Sequence, residues 1–148
     1  MFHLFTIWYI SHIIKIQSKF TKEVVKILEK PEFEVKFYDT ADGSRPAEDF
    51  ILSLLPKMRA KVLRLIDILE TNGTELMEPF SKHLGDGIFE LRGQTGSDIS
   101  RVLFFFMAGK KAILTHGFIK KTKKTPPSEI KLAKKFRAEY LSREENQQ

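Results

Sequence analysis

The pattern of apolar and polar positions changes character near residue 33. Residues 1–16 are almost continuously apolar, and Ser18 to Lys30 shows the spacing of an amphipathic helix, which ends at Pro31. The apolar run is shorter than a helix needs to cross a bilayer. It also lacks the preceding positive charge and the following small residues of a secretory signal. We therefore expect neither export nor stable membrane insertion.

The first 31 residues allow three interpretations. They form a helix that packs on the domain or on a partner, they form a weak anchor at a membrane surface, or they are upstream sequence translated from a misplaced start. The third is preferred, because an ordered pattern begins only at Phe33. The expected organisation is an N-terminal extension over residues 1–31, one domain over 32–143 and a polar tail over 144–148.

From Phe33 onward the pattern predicts secondary structure clearly. Residues 33–38 alternate between apolar and polar side chains, as a half-buried strand does. Two apolar stripes at helical spacing follow, the first ending at Pro56 and the second at Asn72 and Gly73. This helical hairpin cannot bury its apolar faces alone and needs a sheet to cover.

Three consecutive strands are predicted next, over residues 88–92, 99–107 and 112–119. Their connecting turns are short, so neighbouring strands must run antiparallel. The five apolar residues from Val102 to Phe106 indicate a central strand covered on both faces. A basic helix follows Thr125. The order β-α-α-β-β-β-α predicts an α+β fold, with an antiparallel sheet of about four strands, an N-terminal helical hairpin and a C-terminal basic helix.

Charge and composition narrow the classes of partner. The net charge is +6, and residues 109–143 contain eleven lysines and arginines but only two acids, Glu129 and Glu139. This excess predicts an anionic partner such as nucleic acid, anionic lipid or an acidic protein. On charge alone, a solvated surface is an equal alternative. The absence of cysteine suits a reducing compartment, and we expect a cytoplasmic protein.

Several familiar kinds of catalytic site are missing from the sequence. No Gly-rich phosphate loop with a following Lys-Ser/Thr occurs, and no Gly-x-Ser-x-Gly elbow occurs. The four histidines lack the spacing of metal ligands. We therefore expect no metal and no other cofactor.

The strands carry groups that suit cleavage of RNA. Arg92 and Arg101 flank a short turn, and arginine can hold a phosphate and stabilise the charge of the transition state. His116 can transfer a proton, and Phe118 can stack on a base. A run of cations extends this surface: Lys120, Lys121, Lys123 and Lys124.

Each of these groups also has an ordinary structural interpretation. His116 lies in an apolar strand, so a core histidine bonded to the backbone is equally open. Glu90 and Arg92 can form an exposed surface pair, and the lysine run is generic. Arg101 is harder to dismiss, because a guanidinium at the edge of so apolar a strand needs a partner or a function.

Residues from about Phe33 to Leu141 resemble the RelE/ParE superfamily of bacterial toxins, specifically its phage-derived, HigB-like branch. The resemblance is carried in order by residues 35–39, 45–50, 84–92, 101–105 and 116–126. It implies the toxin of a type II toxin–antitoxin system. Such toxins are metal-independent endoribonucleases that cut mRNA in the ribosomal A site through attack by the 2′-hydroxyl. A helix-turn-helix antitoxin neutralises them.

The resemblance also implies roles for individual residues. Arg101 matches the strand arginine that contacts the scissile phosphate, and Arg92 matches a basic position around the substrate groove, as do Lys120 and Lys121. Two candidates for the general base stay open, His116 and Glu90, because RelE carries lysines on the strand where this chain has glutamate. Three other functions stay open as well: a non-catalytic binder of nucleic acid or protein, a gyrase-directed toxin and a peripheral membrane protein.

Overall fold

The structure, a computed structural model, describes residues 13–19, 21 and 31–148, and the chain divides into two units, Met1–Pro31 and Glu32–Gln148. In the first unit, residues 13–19 and 21 are helical. The rest of the predicted leader lies outside the described residues, so the interpretations of that segment stay predictions. No helix in the described ranges is long and apolar enough to cross a membrane.

Residues 32–148 are described throughout, and they form strands, α-helices and one short 3-10 turn, Gly73–Glu75. In chain order the strands and α-helices are β1 (Glu34–Phe37), α1 (Pro46–Ser53), α2 (Pro56–Asn72), β2 (Ser81–Gly85), β3 (Ile88–Thr95), β4 (Asp98–Met107), β5 (Lys111–Ile119) and α3 (Pro127–Glu145).

Prolines and one glycine set the helix boundaries. Pro46, Pro56 and Pro127 are the first residues of α1, α2 and α3, where the missing N–H is not needed and the fixed φ suits the helix. Gly73 ends α2 with a φ of +52°, a conformation that favours glycine. A Cβ on Gly73 would also lie only 1.9 Å from the Phe33 ring, so this position has no room for a side chain.

The sheet has the strand order β1-β5-β4-β3-β2. Consecutive strands from β2 to β5 pair antiparallel, in agreement with the short predicted turns. β1 pairs parallel with β5, with Glu34 opposite Lys111 and Phe37 opposite Leu114. The α+β class is confirmed. The sheet, however, is mixed and has five strands, whereas an antiparallel sheet of about four strands was expected.

The unexpected strand and the parallel pair have separate physical causes. β2 reads Ser-Lys-His-Leu-Gly and lies at the edge of the sheet, paired only with β3. An exposed edge strand carries charged side chains and need not show apolar alternation. The helical hairpin α1–α2 separates β1 from the other strands in sequence, so no tight turn constrains the direction of β1.

Both faces of the sheet are covered. Helix α3 packs on one face through Ala133 and Phe136. The helical hairpin packs on the other face through its buried side chains: Ala47, Ile51, Leu54, Met58, Val62, Leu65 and Leu69. β4 lies between the two layers; of the predicted stretch, Val102 to Phe105 are buried and Phe106 is half-buried. Each large apolar side chain buried in this way contributes about 1.5–3 kcal/mol.

β5 contains one extra residue, Thr115, relative to β4. The Thr115 hydroxyl donates a hydrogen bond to the carbonyl oxygen of Leu103 at 3.0 Å. Side chains alternate along a strand, so the extra residue reverses which side chains face α3 beyond it. His116, opposite Leu103, and Phe118, opposite Arg101, are therefore on the α3 side of the sheet.

Candidate functional site

Five predicted site residues share the α3 side of the sheet. Arg92, Arg101 and Phe118 form one row, since Arg92 lies opposite Arg101 and Arg101 opposite Phe118. Glu90 and His116 lie in the next row, on β3 and β5. Phe118 is half-buried. The structure thus brings together, on one surface, residues that the sequence places on three different strands.

Glu90 is a buried carboxylate between the two arginines, with a side chain that is 2% exposed. Its Oε1 lies 3.4 Å from Arg101 Nε and 3.7 Å from Arg92 Nε, and its Oε2 accepts a hydrogen bond from the Thr125 hydroxyl. A buried charge is stable only when it is paired and hydrogen-bonded. Glu90 therefore anchors both guanidinium groups, and its burial excludes the alternative of an exposed surface pair.

Arg101 is buried beside this acid, and its Nε faces the Glu90 carboxylate. Its Nη1 donates a hydrogen bond to the carbonyl oxygen of Ser100 at 2.9 Å. Its Nε has no hydrogen-bond partner within the described part of the chain. Burial lowers the pKa of Arg101, which Glu90 partly opposes, and a guanidinium stays charged at neutral pH. Arg101 is therefore a charged group whose position is set by Glu90 and the Ser100 carbonyl oxygen.

Of the four lysines after β5, one lies close to the arginines. The Lys120 backbone N–H donates to the carbonyl oxygen of Ile99 at 2.8 Å, which fixes this residue beside β4. Burial lowers the pKa of Lys120, and the positive charges of Arg101 and Arg92 lower it further. The other three lysines are exposed: Lys121, Lys123 and Lys124.

Four cations surround Glu90, and we call them the cationic cluster: Lys82, Arg92, Arg101 and Lys120. Lys82 lies opposite Glu90 in the pairing of β2 with β3. The exposed carboxylate of Glu78 approaches Arg92 from the rim, with 3.7 Å between its Oε2 and Arg92 Nη1. Four positive charges around one buried carboxylate leave an excess of positive charge, which favours the binding of a phosphate group.

His116 is also buried, at 5% exposure, but its polar atoms face inward. Its Nε2 lies 2.7 Å from Oε2 of Glu129 in the first turn of α3, and its Nδ1 lies 3.1 Å from the Thr115 hydroxyl. The Phe136 ring packs against it, with 5.8 Å between the ring centroids. These contacts fasten α3 to β5. Within the described residues, no hydrogen bond joins His116 to Arg101.

We expect the His116→Gln variant to lose less stability than the parent chain as the pH falls. Burial lowers the pKa of His116 below its ordinary 6.5, although Glu129 opposes this shift. The unfolded chain then binds more protons, so the stabilisation is present above pH 6.5 and is lost as the pH falls through the folded pKa. The effect is about 1.4 kcal/mol per unit of pKa difference. Urea unfolding midpoints between about pH 7.5 and about pH 5.5 measure it.

The matched control for this measurement is His83→Gln, at an exposed position on the edge strand β2. It shows how much of any change comes from replacing a histidine at the surface rather than from the buried ring of His116. Equal pH slopes for His116→Gln and the parent would contradict the assignment.

A polar groove of about 310 Å³ adjoins the cationic cluster. It is lined by residues from several elements: Lys61, Pro79, Phe80, Arg92, Gln94 and Arg101. The sequence analysis identified the two arginines but missed Lys61, Phe80 and Gln94. Nothing in the local sequence marks these residues, because only the packing of α2 beside the end of β3 brings Lys61 to the arginines.

A second groove, of about 530 Å³, lies between the hairpin and the ends of the strands. Its lining is largely apolar and includes Phe50, Leu54, Leu55 and Ile119. Lys57 and Asp98 are its charged residues, and they carry opposite signs. This composition does not suit a polyanion, so the smaller polar groove is the better candidate for nucleic acid.

The described part of the chain contains no cluster of three or more histidine or carboxylate side chains placed to share a metal ion. The family described as "Phage derived protein Gp49-like (DUF891)" matches residues 49–138. This match begins within α1, ends within α3 and includes the whole cationic cluster. No curated protein matches the chain.

Proposed function

The chain belongs to the Gp49-like family of phage-derived proteins, and from this premise we propose that it is the toxin of a type II toxin–antitoxin system that cuts mRNA on the ribosome. The Gp49-like family is related to the RelE toxins. The fold is consistent with a RelE-like fold, which makes the toxin function a coherent proposal at the level of family and architecture.

One observation carries the proposal: Arg101, a guanidinium held in place by Glu90, lines a polar groove beside Arg92. In the proposed complex this arginine donates to the scissile phosphate, and Arg92 supports it from the neighbouring strand. Arginine suits this task because its planar group offers paired donors to phosphate oxygens. Glu90 acts as a positioning residue, since its oxygens hold the two arginines and Thr125.

In the proposed reaction, the ribose 2′-oxygen attacks the adjacent phosphorus and the bond from phosphorus to the 5′-oxygen breaks. The products are a 2′,3′-cyclic phosphate and a 5′-hydroxyl. The 2′-hydroxyl loses a proton and the leaving 5′-oxygen gains one, so the step needs no water and no redox partner. Arg101 and Arg92 stabilise the negative charge that builds on the phosphate oxygens.

Lys120 is our candidate for the proton transfer. Burial and neighbouring cations lower the pKa of Lys120, which brings its amine closer to the range useful for general acid–base catalysis. Its side chain is only partly buried, so it stays accessible to a substrate. Glu90 and His116, the two candidates from sequence, direct their polar atoms to partners inside the protein.

The proposed partners are mRNA in the ribosomal A site and a cognate helix-turn-helix antitoxin. The net charge of +6 and the exposed lysines beyond β5 favour association with the ribosome through phosphate contacts. Binding of this kind should weaken steeply as the salt concentration rises.

The test is to induce the full chain in cells and to map mRNA 5′ ends by primer extension. We expect growth arrest and new 5′ ends inside translated reading frames. Arg101→Lys should abolish both effects. Arg45→Lys should retain both, because Arg45 is an exposed residue whose one ion pair among the described residues is with Glu48 at the surface. If the parent chain is folded and soluble but causes neither growth arrest nor new mRNA 5′ ends, the proposal is wrong.

A non-catalytic RNA-binding module of the same fold is the second candidate. The inward-facing polar atoms of Glu90 and His116 favour it, because neither group is free to take a proton from a substrate. Ribosome binding that survives Arg101→Lys, with no cuts from the parent chain, would select this alternative.

A further inference from the structure

We propose that the polar groove is a subsite for one nucleotide of single-stranded RNA. In this subsite Lys61, Arg92 and Arg101 bind a phosphate, the base stacks on Phe80, and Gln94 accepts a hydrogen bond from the base edge. The inference rests on the proposed function in one respect only, the choice of RNA as the ligand. It adds three residues to the surface that the sequence identified.

The phosphate side of the groove is built from three elements. Lys61 comes from α2, Arg92 from β3 and Arg101 from β4. Lys61 forms no ion pair with any residue in the described ranges, and Arg101 lines the groove while its Nε faces Glu90. The carboxylate at this rim, Glu78, is exposed and lies 3.7 Å from Arg92, so an incoming phosphate can replace it.

The base side of the groove is formed by Phe80, which is 41% exposed and precedes β2. Its carbonyl oxygen accepts a hydrogen bond from the Arg92 backbone N–H at 2.9 Å, so the main chain of Phe80 is fixed beside that of Arg92. An exposed aromatic ring beside fixed cations is the arrangement by which proteins bind single-stranded nucleic acid. The Phe80 ring lines the groove and belongs to neither hydrophobic core cluster of the described residues.

Gln94 gives the subsite a hydrogen-bond acceptor for the edge of the base. Its side-chain nitrogen donates to the carbonyl oxygen of Gly96 at 3.1 Å, which leaves the side-chain oxygen as a hydrogen-bond acceptor in this orientation. An acceptor can bind a donor on the base edge, either an exocyclic amino group of adenine, cytosine or guanine or the N3–H of uracil, so it orients the base. The volume of about 310 Å³ lies at the lower end of the range for small-molecule sites, which suits one nucleotide.

The test compares AMP with ribose 5-phosphate, which has the same phosphate and sugar but no base. Binding to the full chain is measured by isothermal titration calorimetry. We expect AMP to bind at least about fivefold more tightly than ribose 5-phosphate, because the lower end of the range for stacking on an aromatic ring corresponds to this factor. Phe80→Leu should reduce AMP to the affinity of ribose 5-phosphate, whereas Phe80→Tyr should retain the difference.

The phosphate side is tested with a matched pair of lysines on α2. Lys61→Ala should weaken the binding of AMP and that of ribose 5-phosphate by a similar factor. Lys57→Ala should change neither, because Lys57 lies four residues earlier on the same helix and lines the apolar groove instead. Equal binding of the two ligands by the parent chain overturns the subsite. A polyglutamate peptide that binds as tightly as AMP also overturns it and indicates an acidic protein partner.

No step of this test depends on cleavage, so its outcome is separable from that of the proposed function. If AMP is distinguished from ribose 5-phosphate but no mRNA is cut in cells, the proposed function fails and the subsite stands. If mRNA is cut but Phe80→Leu changes neither AMP binding nor the positions of the cuts, the subsite alone fails.

Discussion

Arg101→Lys is expected to slow single-turnover cleavage of mRNA on programmed ribosomes by about 10²–10³-fold. The guanidinium donates from Nη1 to the Ser100 carbonyl oxygen, lies with Nε against Glu90 and lines the polar groove. An ammonium group is a point charge and cannot reproduce this fork of donors. The positive charge is retained, so ribosome binding should change far less than the rate. Purified full chain and ribosomes in excess give both quantities.

Arg45→Lys is the matched control, because it makes the same chemical change at an exposed ion pair. Its cleavage rate should equal that of the parent. A rate for Arg101→Lys within a factor of about three of the parent, with the fold intact, would show that the buried guanidinium does not act in the transition state.

Glu90→Ala is expected to lower the free energy of unfolding by about 3–5 kcal/mol. The substitution removes the buried acid and leaves Arg101 as an uncompensated cation beside Arg92, and it also deprives Thr125 of its acceptor. Guanidinium chloride denaturation of the full chain measures the change. Glu90→Gln should be milder, because an amide oxygen can still accept the hydrogen bond from Thr125.

Glu48→Ala is the control for this prediction, since it removes an exposed partner of Arg45 and should change the stability by at most about 1 kcal/mol. The double change Glu90→Leu with Arg101→Met removes both buried charges and should recover most of the stability without restoring cleavage. A loss below about 1 kcal/mol for Glu90→Ala would contradict the view that this acid holds the cluster together.

The regular elements were predictable wherever a turn or a periodic pattern constrained them. The short turns fixed β3, β4 and β5 as antiparallel neighbours, and the apolar run in β4 indicated its central position. β2 was not predictable, because an edge strand such as Ser81–Gly85 is free to be polar. The parallel direction of β1 was not predictable either, because it depends on how the whole helical hairpin crosses the sheet.

The candidate site was predictable in its charges but not in its contacts. Alternation along β3 placed Glu90 and Arg92 on the same face. The burial of Glu90 could not be foreseen, because it depends on Thr125, which is distant in sequence. The bulge at Thr115 determines on which face of the sheet the His116 side chain lies, and nothing in the sequence predicts a bulge of this kind.

The enclosure of Glu90 by the cationic cluster has an evolutionary consequence. Like charges held close together oppose folding, yet a preorganised set of donors is what makes a transition state easier to stabilise. Substitutions that stabilise the fold at this cluster are therefore expected to lower the activity. A copy of the gene that is released from selection for activity is expected to lose the cluster to apolar substitutions before it loses the fold.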